Sequence, residues 1–349
     1  MRHEDQVGPA GQNPVTPRRM LDETCEAVSP PIRLGISRCL LGEEVRYDGG
    51  HKRDSFLVEV LGRFVEWVPV CPEVEAGFGV PREAMRLVGD PRRPRLVTVH
   101  SARDRTAEMA RFSDERVREL EVLDLSGFIF KKDSPSCGIE RVPVVDRAGR
   151  SSRNGVGLFA RAFMAHFPLI PVEEEGRLCD PVLREHFIER VFCYRRWREL
   201  LKGRITRQAV GDFHLSHTYL LLAHSPAHYR KLGRLVANAH RYRPIDLARR
   251  YGAGLLKALK TPATVRTHVP VLRRIAGHLK GLLNAQERDE LLGVIEDYRR
   301  GRSPLVVPIT LLQHYVRAYD VAALRDQVYL NPDRQKLILL GLRPGGLLS

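Results

Sequence analysis

The rhythm of apolar and polar positions changes once along the chain. Up to about residue 175, short apolar runs alternate with stretches of helical period. Residues 32–36, 65–70, 95–100, 127–130, 142–145 and 169–172 have the length and apolar content of strands. Residues 55–64, 112–123 and 157–167 carry helical spacing, and Ser113 is the expected N-cap of the second of these. Pro143 has no N–H to give to a ladder, so 142–145 is expected at a sheet edge. Strands alternating with helices predict an α/β domain with a mostly parallel sheet covered on both faces.

Beyond residue 180 the strand pattern disappears. Helices are predicted over 181–201 and over 206–224, the latter with Thr206 as cap. Ser225-Pro226 restarts a helix, with a cap followed by proline at the first position. Further helices are predicted over 245–260, 262–283 and 285–300, the last opened by Asn284 and Glu287 in capping-box spacing. Ser303-Pro304 begins one that runs to about residue 319. The expected fold is therefore an α/β N-terminal domain followed by an all-α C-terminal domain. The expected boundaries are a disordered tail over 1–31, the α/β domain over 32–180 and the helical domain over 181–349. The segment from Arg343 onward is expected to fray.

A length of 349 residues supports two cores rather than one. No apolar run reaches the roughly 18 residues that span a bilayer, so no membrane partner is expected. Residues 1–31 mix acids and prolines without an apolar core, unlike a signal or transit peptide. Six cysteines without a C-x-x-C pair are too few for a disulfide scaffold, and a reducing cytoplasm is the expected location. Charge sharpens the division. Residues 1–180 hold 27 Lys and Arg against 29 Asp and Glu, whereas 181–349 hold 30 against 13, a net of +17. That half suits an anionic partner, RNA or another nucleic acid, unless the excess of Arg is compositional.

Cys39, Cys71 and Cys137 each fall just past a predicted strand, in loops of Gly, Pro and Ser. In an open parallel sheet the carboxyl ends share one edge, where ligands bind. Three thiolates on such an edge suit an iron–sulfur cluster or a soft metal; three unrelated buried thiols are the alternative. Cys25, Cys179 and Cys193 have no such setting.

The stretches Ser37-Arg38-Cys39-Leu40-Leu41-Gly42, Arg46 to Lys52, Val70-Cys71-Pro72-Glu73, and Lys131 with Ser134-Pro135-Ser136-Cys137-Gly138 resemble the thiouracil desulfurase family, TudS, over about residues 32–175. The resemblance implies a 4Fe–4S cluster held by Cys39, Cys71 and Cys137, with one iron open to a thiolated pyrimidine or related thiocarbonyl. The stretch from Asp212-Phe213-His214 through Leu222-Ala223-His224-Ser225-Pro226 to Leu232-Gly233-Arg234 resembles the YbgA-like domain of unknown function. On such a site a general base must activate water, and Glu73, two residues past Cys71, is the expected one; a carboxylate stabilising a helix start is its other role. Asp48 is expected either to bind a substrate ring N–H or to serve its Tyr-Asp-Gly-Gly turn. Ser134 and Ser136 are expected to donate to the cluster or to substrate, and Lys131 to neutralise the thiolates or hold a phosphate.

In the second half, His214, His217 and His224 lie within about 80° on one helical face, with His228 following. They suit a polar helix interface more than a metal site, because no Glu-x-x-His pair accompanies them. Arg195-Arg196, Arg241-Tyr242-Arg243, Arg249-Arg250, Arg273-Arg274 and Arg299-Arg300-Gly301-Arg302 suit phosphate contact with stacking, or simply solvated faces. Two functions remain: an iron–sulfur desulfurase that releases sulfide, or a nucleic-acid-binding or regulatory protein whose cluster is structural or sensory.

Overall fold

A computed structural model describes residues 31–331. The expected tail (apart from Pro31), Cys25 and the segment from Arg343 lie outside the described residues. All eight strands among the described residues fall between Ile32 and Glu174, and helices alone follow from Pro181 to Arg325. The α/β-then-α division expected from the sequence is thus present.

Four strands form a fully parallel sheet in the order β2-β1-β5-β8: β1 (Ile32–Ser37), β2 (Val65–Val70), β5 (Gly127–Phe130) and β8 (Val172–Glu174). A second sheet, in the order β4-β3-β6-β7, contains β3 (Met85–Asp90), β4 (Arg93–Thr98), β6 (Val142–Val145) and β7 (Ser151–Gly155). Here β6 is an inner strand, contrary to the expected edge position. Pro143 is tolerated because the β6–β7 register shifts between Val142 and Pro143, and a bulge needs no donor at that point. The sequence reading missed β3 and β7. β7 (SSRNG) has no apolar residue and becomes a strand only because β6 offers it a ladder.

Helices of the first half are α1 (Pro72–Glu75), α2 (Thr106–Glu121) and α3 (Leu158–His166). α2 starts seven residues before Ser113, the expected cap. Asp104 accepts from Thr106 N at 2.9 Å, while Ser113 lies buried in mid-helix and donates back to Met109 O at 2.7 Å. Residues 55–64 form a π turn (Phe56–Val60) and a 3-10 turn (Leu61–Arg63) instead of one α-helix. The expected strand over 169–172 sits later, at β8, and ends on acids.

The second half contains α4 (Pro181–Lys202), α5 (Arg207–Ser216), α6 (Thr218–His224), α7 (Pro226–Ala237), α8 (Pro244–Ala258), α9 (Val265–Leu279), α10 (Ala285–Arg299), α11 (Val306–Ala318) and α12 (Ala322–Arg325). The expected caps act: Thr206 accepts from Ala209 N, and Ser225 accepts from His228 N. Asn284 and Glu287 close a reciprocal capping box. The single helix expected over 206–224 breaks at His217 into α5 and α6.

Alternation along the parallel strands divides two cores. Phe128 and Phe130 of β5 point to one face, stack 4.1 Å apart and pack with Phe159 and Phe163 of α3. Gly35 of β1 makes room for the Phe128 ring, since a Cβ there would lie 2.0 Å from it. Ile32, Leu34, Ile36 and Ile129 turn to the other face, against Phe187, Ile188, Val191 and Phe192 of α4. The sheet's second cover is therefore a helix that lies past residue 180. α6 and α9–α12 enclose a further core of their own around Leu272, Ile275, Leu291, Ile295 and Leu312.

Candidate functional site

Parallel order places the carboxyl ends of β2, β1, β5 and β8 side by side. β1 ends at Ser37, and Cys39 lies in the 3-10 turn Arg38–Leu41 that follows. β2 ends at Val70, and Cys71 is the N-cap residue of α1, with Pro72 at the first helical position. β5 ends at Phe130, and Cys137 lies in its following loop. That loop is seated on the N-terminus of α3: Gly157 N, Leu158 N and Ala160 N donate to the carbonyls of Gly138, Pro135 and Ser136 at 2.8, 3.1 and 3.1 Å. Gly157 permits this approach, because a Cβ there would fall 2.5–2.8 Å from backbone atoms of Ser136 and Cys137.

The three thiols feel one another. Burial pushes the Cys39 thiol up to about 11, the Cys71 charge adds to this, and Lys131 and Arg46 oppose it. Burial also raises Cys71. Cys137 is raised well above the usual thiol range, first by burial, with the Ser37 hydroxyl opposing and Cys71 and Cys39 adding. One buried and two half-buried sulfurs at neighbouring strand ends suit a shared cationic partner. Among the described residues, no three His, Cys, Asp or Glu side chains are gathered tightly enough to hold a metal ion. Thiolates of a cluster bind separate irons and need not converge on one point, so the donor set fits a cluster better than a single metal.

Around the sulfurs the expected residues divide by what they bond. Glu73 Oε1 accepts from Ser136 Oγ at 2.8 Å, joining the loops that carry Cys71 and Cys137. Its Oε2 accepts from Arg82 Nε at 2.9 Å and also from Arg82 Nη2. Ser134 Oγ accepts from Ser136 N and Cys137 N at 3.2 and 3.1 Å and so shapes the Cys137 loop. Lys131 lies beside Cys39, and its ammonium is held by Glu175 at 2.5 Å. Asp48 is an exposed turn residue: its Oδ1 accepts from Gly50 N at 3.1 Å. That bond, followed by Arg46, holds its carboxyl below the usual range. This is the turn role the sequence also allowed.

Several members of the site escaped the sequence reading. Ser37 is buried and accepts from Lys131 N at 2.9 Å. Arg82 fastens Glu73 to the loop after Cys39 by donating to Val45 O at 3.0 Å. Glu173, Glu174 and Glu175, at the end of β8, are all buried. Glu174 accepts from Ile139 N at 2.8 Å, just past Cys137, and burial raises its carboxyl. Glu175 accepts from Lys132 N at 2.8 Å as well as from Lys131. Three acids directly after an apolar strand were the available signal, because such a run is buried only where donors meet it.

The histidines of the second half do not converge. His214 Nδ1 meets Tyr251 OH at 3.2 Å, and His217 Nδ1 donates to Phe213 O at 2.8 Å. His224 bridges Glu189 and Thr261 O, both at 2.7 Å. They line helix interfaces, as expected. Several Arg stretches are neutralised locally: Arg249 by Asp246, Arg299 and Arg300 by Glu296, and Arg302 by Asp297. Residues 226–245 contain no acid, and among the described residues the exposed Arg230, Lys231, Arg234, Arg241 and Arg243 have no carboxylate partner. Among the described residues no helix is long and apolar enough to cross a membrane.

Comparison with known proteins agrees with this division. A family model described as 2-thiouracil desulfurase matches residues 34–175, and one described as a protein of unknown function, DUF1722, matches 218–333. The uncharacterized protein YbgA of Escherichia coli (strain K12) is 34% identical over 141 residues, 40% of this chain and 83% of that protein. The uncharacterized protein YbbK of Bacillus subtilis (strain 168) is 30% identical over 115 residues, 30% of this chain and 71% of that protein. A solved [4Fe-4S]-dependent thiouracil desulfidase, TudS, is 30% identical, with 42% of this chain and 93% of that one covered and a TM-score of 0.36. The chain belongs to the 2-thiouracil desulfurase family through its strand-bearing half, and joins to that half a DUF1722 domain.

Proposed function

We propose that the chain removes sulfur from a thiolated pyrimidine or related thiocarbonyl compound, exchanging C=S for C=O with water and releasing sulfide. Cys39, Cys71 and Cys137 would hold a 4Fe–4S cluster, which supplies a soft Lewis acid for the departing sulfur. Atoms balance without an external oxidant or reductant, since water provides the oxygen and both protons of hydrogen sulfide. Glu73 and Ser136 handle the proton. Ser136 Oγ gives its hydrogen to Glu73, which leaves its lone pairs to accept from a water; as that water attacks, its proton passes to Ser136 Oγ and the hydroxyl proton passes to Glu73 Oε1. Arg82 fixes the other carboxylate oxygen, so that Oε1 stays aimed at Ser136. Lys131, held by Glu175, keeps positive charge beside Cys39, and Ser134 holds the loop that carries Ser136.

The observation that carries this reading is the gathering of three thiols just past neighbouring strand ends of one parallel sheet, with the Glu73–Ser136 pair between two of their loops. Its test is sulfide release from 2-thiouracil and 2-thiouridine by anaerobically reconstituted protein. Glu73→Gln should keep its iron and lose about 10²-fold or more in turnover. An iron-loaded chain that releases no sulfide from any thiolated pyrimidine, free or in RNA, would leave the cluster a structural or sensory role. The exposed Arg and Lys of the acid-free run 226–245 favour a base carried in RNA over a free one. tRNA should then bind with a steep salt dependence, and flat, weak binding at about 50 mM salt argues for the free base.

A further inference from the structure

The chain after Cys39 forms a loop with both feet on the three-cysteine site. At one foot Val45 O lies 3.8 Å from the Cys71 sulfur and accepts from Arg82 Nη1 at 3.0 Å. At the other, Lys52 N donates to Cys39 O at 2.9 Å. Between the feet the chain doubles back: Gly49 N donates to Arg46 O at 3.0 Å, and Arg46 N donates to Gly50 O at 3.2 Å. Gly49, at φ +76°, allows so tight a reversal. The tip carries Tyr47. Arg82 N donates to its carbonyl at 2.9 Å, and the Arg82 side chain holds Glu73, the carboxylate that accepts from Ser136. The Tyr47 backbone is thus fixed relative to the Glu73–Ser136 pair. Its ring lies outside every core described above, is 42% exposed, and meets the Arg46 guanidinium 5.3 Å from its centroid.

We infer that the Tyr47 ring is the stacking platform for the pyrimidine ring of the substrate. The inference rests on the reading that the chain desulfurates a thiolated pyrimidine. Every pyrimidine presents a planar π face, and an aromatic side chain on an anchored backbone covers that face at a small entropic cost. Arg46, paired with Asp48 at 3.3 Å, backs one face of the Tyr47 ring, and the base takes the opposite face. Stacking leaves the edge of the base, where the thiocarbonyl lies, free to meet the cysteines and the Glu73–Ser136 pair. A purely structural Tyr47 would act through its backbone carbonyl, which any residue supplies, and loss of its ring would change nothing.

The test is ligand binding by the anaerobically reconstituted full chain. Uracil, the product expected from 2-thiouracil, is titrated by calorimetry, and KM and kcat for sulfide release from 2-thiouracil are measured beside it. Where wild type turns over 2-thiouridine alone, uridine and 2-thiouridine take their places. Tyr47→Leu should keep its iron, weaken product binding about tenfold or more, and raise KM in step while kcat changes less. Tyr47→Phe keeps the ring and should match wild type in both measurements. Wild-type product binding in Tyr47→Leu overturns the inference. So does an equal loss in Tyr47→Phe, which would assign the effect to the hydroxyl, and so does loss of iron in Tyr47→Leu, which would make the ring a cover for the cluster. Wild-type protein that releases no sulfide from either compound sinks the desulfurase reading itself, and this is seen before any variant is compared.

Discussion

Replacing Gly157 by alanine tests how the Cys137 loop is held. The backbone there has φ −58° and ψ 147°, which alanine adopts freely. On the unfolded-chain side alone, Gly→Ala would stabilise by about 0.4–1 kcal/mol. Space decides the sign. The new Cβ would sit 2.5 Å from Ser136 C, 2.6 Å from Ser136 O and 2.8 Å from Cys137 N, all backbone atoms that no side-chain rotation can move aside. Overpacking of this kind costs about 1–3 kcal/mol. Displacing the loop also weakens the bonds from Gly157 N, Leu158 N and Ala160 N, each worth about 1 kcal/mol net. A destabilisation of about 2–4 kcal/mol should result, together with reduced iron retention. Gly277→Ala, in α9 with open space around its Cβ, is the matched control and should stabilise by up to about 1 kcal/mol. Urea unfolding of both variants gives the numbers. A Gly157→Ala protein within about 0.5 kcal/mol of wild type would refute the reasoning.

Two further predictions concern the helical half. A chain cut after residue 180 loses Phe187, Ile188, Val191 and Phe192 of α4, each 1–3% exposed against the sheet. At about 1.5–3 kcal/mol per side chain, this rivals a whole domain's stability. Residues 32–180 should aggregate on expression while the full chain remains monodisperse by size-exclusion chromatography, and a monodisperse 32–180 would place α4 outside the first core. Burial pushes His186 down to about 4 and His217 down to about 3, so both rings are neutral in the fold, while the unfolded chain protonates them near 6.5. The folded state then binds fewer protons, so this stability is complete above about pH 6.5 and is lost as pH falls towards 4, by up to about 1.4 kcal/mol per pH unit for each ring. His217→Phe should flatten the decline in urea midpoints between pH 7 and pH 5; an unchanged slope would count against a neutral buried ring.

How far the sequence reached depended on whether a signal was local. Strands 65–70, 127–130 and 142–145 are found with their expected ends, because apolar runs bounded by loops state their own limits. β7 could not be seen, since its pairing comes entirely from β6. Ser113 misled because a serine at the head of an apolar period resembles a cap, whereas here it bonds back to Met109 O inside the helix. The cysteines were visible as three loop residues after three strands. Ser37, Glu174, Glu175 and Arg82 in its bond to Val45 O act through partners 35 to 94 positions away, and no local pattern reveals such pairs. The boundary near 180 follows the change of pattern and charge, yet α4 covers the sheet from beyond it.

The central claim is that Cys39, Cys71 and Cys137 together hold one iron–sulfur cluster, and iron content measures this most directly. Wild-type protein and the variants Cys39→Ala, Cys71→Ala, Cys137→Ala and Cys179→Ala are reconstituted anaerobically side by side, then assayed for iron, acid-labile sulfide and visible absorbance. Each of the first three variants should lose most of its iron and the broad absorbance of a thiolate-bound cluster, while Cys179→Ala, an exposed thiol, should match wild type. Full iron and unchanged absorbance in any one of the first three would contradict the account.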